Sequence, residues 1–139
     1  MPPTGPTILI ISADPDVLDW VSADLRTSGF RVLTANEAAL ALMLAQRRGP
    51  KAILLDLDLP GGGGIRLMRR LRTLIPLSGI PIITLVGRPL TADEEDRIEI
   101  DAKAHLYKPL DIDELQVILR SFIGEPGIEP GELGKPPHA

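Results

Sequence analysis

The sequence predicts an α/β fold in which a five-stranded parallel sheet carries helices on both faces. Three observations point to it. Five short apolar runs alternate with five segments of helical spacing along residues 7–123. The third run, Ala52-Ile53-Leu54-Leu55-Asp56, is apolar until its last residue, the pattern of a strand covered on both faces. Capping and turn residues stand at the joins, so each run ends where a helix can begin.

The elements follow in order. Thr7-Ile8-Leu9-Ile10-Ile11 is a buried strand rich in β-branched residues. Asp14 caps the first helix and Pro15 suits its first position. Leu18, Val21 and Leu25 recur at helical spacing, and Gly29 stops the helix. Arg31-Val32-Leu33-Thr34-Ala35 is the second strand. Asn36 is the expected cap of a helix carrying Leu40, Met43 and Leu44, which ends at Gly49-Pro50. After the third strand comes a glycine-rich loop, then a helix near 65–75 with Leu67, Leu71 and Leu74. The fourth strand covers residues 80–86, with Pro81 at its start, where a missing N–H is tolerated. Thr91 and Glu94 have capping-box spacing and open an acidic helix. His105-Leu106-Tyr107 is a short fifth strand. Asp111 and Glu114 repeat the capping logic before a helix with Ile112, Leu115, Leu119 and Phe122 on one face.

Composition narrows the function classes. A chain of 139 residues is one ordinary domain, able to bury roughly two-thirds of its unfolded surface. Hydrophobic residues at 44% and charged residues at 24% are globular usage, which excludes disorder over the whole chain. With no cysteine there is no disulfide, thiolate zinc site or thiol nucleophile. The net charge of −4 argues against a broad nucleic-acid footprint. No apolar run approaches the ~20 residues of a membrane span, and no signal peptide is evident, so a cytoplasmic protein is expected. Residues 1–6 and 124–139, rich in Pro and Gly, read as a disordered N-terminal tail and a C-terminal tail or linker around a domain at 7–123.

In such sheets the functional site lies past the carboxyl ends of the strands. Those ends hold Ser12, Ala13 and Asp14, then Asp56 and Asp58, then Val86 and Gly87, then Lys108 and Pro109. An acid ending a buried strand needs a partner, and Lys108 is placed to supply one. The pair is either a supporting rim ion pair or a carboxylate nucleophile beside a stabilising ammonium.

At these residues the chain resembles the receiver domain of two-component response regulators. The resemblance covers residues 7–123 and rests on four stretches in matching order and spacing. They are Ile8–Pro15, Leu54–Gly64, Ile80–Gly87 and His105–Leu110. It implies a doubly wound, flavodoxin-like sheet of order 2-1-3-4-5. It also implies a phosphoryl-accepting aspartate at Asp56, a phosphoryl-contacting lysine at Lys108 and a cis Lys108-Pro109 peptide. The partners implied are a histidine kinase or a downstream effector, through protein contact rather than enzymatic activity.

The chain departs from the family pattern at several positions. The acidic pair that holds magnesium falls on Ser12 and Ala13, and the switch Ser/Thr falls on Val86. The switch aromatic falls on His105, and an acid common in the Pro-Gly loop is Gly63. Magnesium offsets the repulsion between a phosphoryl group and a carboxylate. Here the metal ligands reduce to Asp56 and the Asp58 backbone carbonyl. Asp14 lies one residue beyond the pair and is expected to serve as a helix cap. The Asp58 side chain is expected in solvent. Cofactor use is therefore expected to be none, or weak Mg2+ binding.

Three readings follow. The first is a degenerate receiver that acts by protein binding, with impaired or absent phosphorylation. The second is a receiver still phosphorylated at Asp56 with a metal shell rebuilt from Asp14 or Asp58. The third is a phosphate or nucleotide site on Gly61–Gly64, which lacks the Walker ending and faces two aspartates. Arg66, Arg69, Arg70 and Arg72 on the third helix read as a solvated face rather than a nucleic-acid site, since no aromatics interleave. Acids on the fourth helix, with Arg97, Lys103 and Arg120, suggest a homodimer through helix 4, strand 5 and helix 5.

Overall fold

A computed structural model describes residues 5–60, 63–74 and 80–124. The strands are β1 (Thr7–Ile11), β2 (Arg31–Ala35), β3 (Ala52–Asp56), β4 (Ile82–Val86) and β5 (Ala104–Tyr107). The helices are α1 (Ser22–Thr27), α2 (Ala38–Arg48), α3 (Gly63–Leu74), α4 (Ala92–Asp101) and α5 (Ile112–Ile123). All strand pairs are parallel, and the sheet order is β2-β1-β3-β4-β5.

The alternation of side chains across the sheet builds two cores. Leu9, Ile11, Ile53, Leu55, Ile82 and Val86 point to the face covered by α2, α3 and α4. Ile8, Ile10, Leu54, Ile83 and Leu85 point to the face covered by α1 and α5, with Leu25, Phe30, Leu115 and Leu119. Every residue of β3 and β4 is buried, as their unbroken apolarity requires. Burying a side chain such as Phe30 stabilises by about 1.5–3 kcal/mol, so these cores carry the fold.

Several local expectations are corrected. Glu37, not Asn36, takes the cap position of α2, in extended conformation and without a side-chain cap bond. Ala41, Leu42 and Ala45 form the buried face of α2, while Met43 is 40% exposed. Phe122 is likewise 43% exposed, and Gln116 is buried in α5 instead, between Asp24 and Ser28. Sequence spacing finds the apolar stripe but does not choose between adjacent positions at its edge. β4 begins at Ile82, because Pro81 enters the ladder only through its carbonyl, which accepts from Ile53 N–H. Before α1 the chain winds as a π-helix over Val17–Val21, for which the sequence carries no signal; it leaves Trp20 55% exposed.

The caps at Asp14, Thr91 and Asp111 form as expected. Asp14 Oδ1 accepts from Asp16 N–H, Thr91 and Glu94 make a reciprocal capping box, and Asp111 accepts from Asp113 and Glu114 N–H. Gly5 N–H donates to Gly29 and Arg31 N–H to Pro6, so residues 5 and 6 join the fold rather than the N-terminal tail. The rest of both tails, residues 1–4 and 125–139, lies outside the described residues, as do Gly61 and Gly62. Among the described residues no helix is long and apolar enough to cross a membrane.

Candidate functional site

Backbone bonds fix the site just past the carboxyl ends of the strands. Ser12 N–H donates to Ala35, Leu57 N–H to Leu85, and Lys108 N–H to Val86. These bonds carry the ladders one residue beyond β1, β3 and β5. They bring Ser12, Asp56 and Lys108 together although they lie far apart in sequence. The Lys108-Pro109 peptide is cis, as the resemblance implies.

Asp56 is 1% exposed, and its carboxylate accepts three hydrogen bonds. Oδ2 accepts from Ser12 Oγ at 2.7 Å and from Lys108 Nζ at 2.7 Å. Oδ1 accepts from Asp58 N–H at 3.0 Å. Ser12 is itself buried and accepts from Asp14 N–H at 3.0 Å. Ala13 is exposed and offers only a methyl group. Val86 is buried and His105 exposed, its ring edge-on to Tyr107 with centroids 5.4 Å apart.

The Asp58 side chain is exposed, as expected, but it leans over the rim of the site toward two cations. Its Oδ2 lies 3.6 Å from Lys108 Nζ and its Oδ1 lies 3.3 Å from Arg88 Nε. Gly87 makes the room: a Cβ there would sit 2.5 Å from Asp58 Oδ2. Arg88 continues the chain of charge onto α4, pairing with both oxygens of Glu94 at 2.9 and 2.5 Å. Arg88 and the Thr91 N–H hold the Glu94 carboxyl down at about 2, and Glu94 in turn pushes the Arg88 guanidinium up. This pair is at full strength above the ordinary carboxylate range and is lost as pH falls toward 2.

Sequence reasoning found the Asp56–Lys108 pair and placed Gly87 at the strand ends without a role; it missed Arg88 and the role of Glu94 outside its cap. The only signal was an arginine between a glycine and a proline just after a strand end. Arg66, Arg69 and Arg70 are exposed, as a solvated face requires. Arg72 instead donates to the carbonyls of Asp101 and Ile80, and burial pulls its pKa down. Arg120 lines a groove with Asp24 and Gln116 between α1 and α5, away from the α4 side.

Comparison with known proteins gives a consistent answer. The response regulator receiver domain family matches residues 8–120. The KDP operon transcriptional regulatory protein KdpE of Escherichia coli is 34% identical over 113 residues, 81% of this chain and 49% of that protein. The transcriptional regulatory protein PrrA of Mycobacterium tuberculosis is 32% identical over 124 residues, 89% of this chain and 52% of that protein. The chain thus spans about half the length of these curated relatives. Among solved structures, the receiver domain of sensor histidine kinase PA1611 from Pseudomonas aeruginosa superposes with a TM-score of 0.77 at 32% identity. That match covers 88% of this chain and 100% of the other, which has magnesium coordinated in its active-site cleft.

Proposed function

The chain belongs to the response regulator receiver family, and from that premise we propose that it is a signalling module working through protein contact, with aspartyl phosphorylation at Asp56 impaired or absent. The observation that carries this reading is the neutral Ser12 hydroxyl bonded to Asp56 Oδ2, at the place where the family has an acid. Ser12 donates a hydroxyl to the oxygen that Lys108 also holds. A receiver that accepts phosphate by the family's chemistry would need an acid there to share a magnesium ion.

The residues present do not fit that ion. Magnesium demands a near-octahedral oxygen shell, commonly with one or two carboxylates. Asp56 has the Ser12 and Lys108 donors on one oxygen, and Asp58 is turned onto Lys108 and Arg88. Asp14 spends Oδ1 on Asp16 N–H, and Ala13 has no side-chain oxygen to give. Val86 cannot donate to a phosphoryl group, so the family's usual coupling to the β4–α4 loop has no donor there.

The lean of Asp58 over the site supports one alternative, a metal shell rebuilt around Asp56, Asp58 and the Asp58 carbonyl. The proposed receiver unit is residues 7–123, in a cytoplasmic protein, with a histidine kinase or an effector as partner. For a homodimer, the face of α4, β5 and α5 offers a groove of about 450 Å³ lined by Leu90, Glu95, Ile98, Glu99, Lys103 and Tyr107. Arg97 and Lys103 remain as basic complements to the α4 acids on that face.

Incubation with magnesium and acetyl phosphate, read by intact mass beside Asp56→Asn, tests the central reading. No phosphoryl adduct on either protein is the expected result. An adduct on the wild type alone overturns it and favours the rebuilt shell.

A further inference from the structure

We propose that the Asp58 carboxylate is a built-in anion that holds the β4–α4 loop where a phosphoryl group on Asp56 would otherwise have to act. It deepens the reading of Asp56 as a non-accepting centre and names what takes over at the loop.

The geometry is a continuous chain of contacts. Asp58 Oδ2 faces Lys108 Nζ at 3.6 Å, the same ammonium that holds Asp56. Asp58 Oδ1 faces Arg88 Nε at 3.3 Å. Arg88 then grips Glu94 with two nitrogens, and Glu94 Oε1 accepts from Thr91 N–H at 3.0 Å. Four separate segments are tied in this way: the end of β5, the loop after β3, the loop after β4 and the first turn of α4.

Val86 has no hydroxyl through which an anion could draw the loop in, and Arg88, two residues on, reaches the anion instead. Isolated exposed ion pairs contribute little. The Arg88–Glu94 end of this chain is firmer in two respects. The Arg88–Glu94 contact is bidentate, which fixes orientation as well as distance. Glu94 is also held by its capping box, so pairing costs little extra side-chain order. Gly87 completes the arrangement, because a methyl group there would occupy the place of Asp58 Oδ2. Gly87 is not among the glycines of positive φ, so its backbone would accept alanine, and the methyl group would displace the Asp58 carboxylate and press on Lys108 Cδ at 3.1 Å. Since this anion is part of the chain, it is always present, and the loop needs no external ligand to favour one state.

Amide hydrogen exchange on the full chain tests the proposal through residues 87–95. Asp58→Ala and Gly87→Ala are each expected to speed exchange there about two- to fivefold, the size of losing one partly exposed ion pair. In the Asp58→Ala background, Gly87→Ala is expected to add less than it does alone, since the methyl group then meets only Lys108 Cδ at 3.1 Å. Arg88→Ala, at an exposed position, is expected to speed the same segment and serves if either other variant fails to fold. Unchanged exchange in Asp58→Ala and Arg88→Ala overturns the proposal. So does a Gly87→Ala effect of equal size with and without Asp58. No phosphoryl donor enters this measurement, so an adduct on Asp56 in the mass test would overturn that reading without deciding this one.

Discussion

Lys108→Met is expected to destabilise the fold by about 3 kcal/mol in urea unfolding at pH 7. Asp56 is 1% exposed and its charge has one cationic partner within 2.7 Å. Removing that partner leaves a buried carboxylate with only Ser12 Oγ and the Asp58 N–H to satisfy it. Asp58 loses the same ammonium but keeps Arg88, so the uncompensated charge is that of Asp56. Breaking a buried pair costs about 3–5 kcal/mol, and the Lys108 side chain is 21% exposed, so water relieves part of it and the lower end applies. Asp56→Asn should cost less, about 1–2 kcal/mol: the amide oxygen still accepts from Ser12 and the freed ammonium has Asp58 and solvent, while the amide nitrogen leaves the Asp58 N–H without its acceptor. A loss below about 1 kcal/mol for Lys108→Met would mean the pair is structurally dispensable.

Gly64→Ala is the second large effect, a net loss of about 2 kcal/mol. Alanine is the better helix former, and alone that would gain up to about 1 kcal/mol. Contact decides the sign. A Cβ on Gly64 would sit 2.6 Å from both the Cα and the carbonyl oxygen of Leu57. These are backbone atoms of the turn that carries Asp58, and no rotamer change moves them aside. The first turn of α3 would have to lift away from the site, at a cost in the upper range of overpacked cores. Gly63→Ala is the control, since nothing lies within 4 Å of its Cβ position. It should be neutral or slightly stabilising. Equal melting temperatures for the two variants would show that α3 adjusts freely.

Most of the fold was legible because each strand is a local, unbroken apolar run with a cap or turn signal after it. The order of those strands came only through the resemblance, since order depends on pairing between distant segments. The Asp56–Lys108 pair was legible for a geometric reason: both residues follow strand ends, and parallel strands deliver those ends to one edge. Asp58 was not, because its direction is set by the missing side chain at Gly87, 29 positions further along the chain. Arg88 was missed for the same kind of reason. Its partners, Asp58 and Glu94, belong to different elements, and neither is at a helical or strand spacing from it. Met43 and Phe122 show the finer limit: a periodic stripe tells which side of a helix is apolar, while the neighbouring helices decide which edge residue is covered.

Trp20 stands on the π-wound turn, more than half exposed, and the chain has no other tryptophan. The protein therefore carries a single optical reporter, and it looks outward. Its emission in the native state belongs at the long-wavelength end, close to that of the unfolded chain, so fluorescence will follow unfolding poorly where circular dichroism will follow it well. The same exposure makes the indole a sensitive witness of docking: a macromolecule that settles against this side of the domain will shift its emission to shorter wavelength without any label.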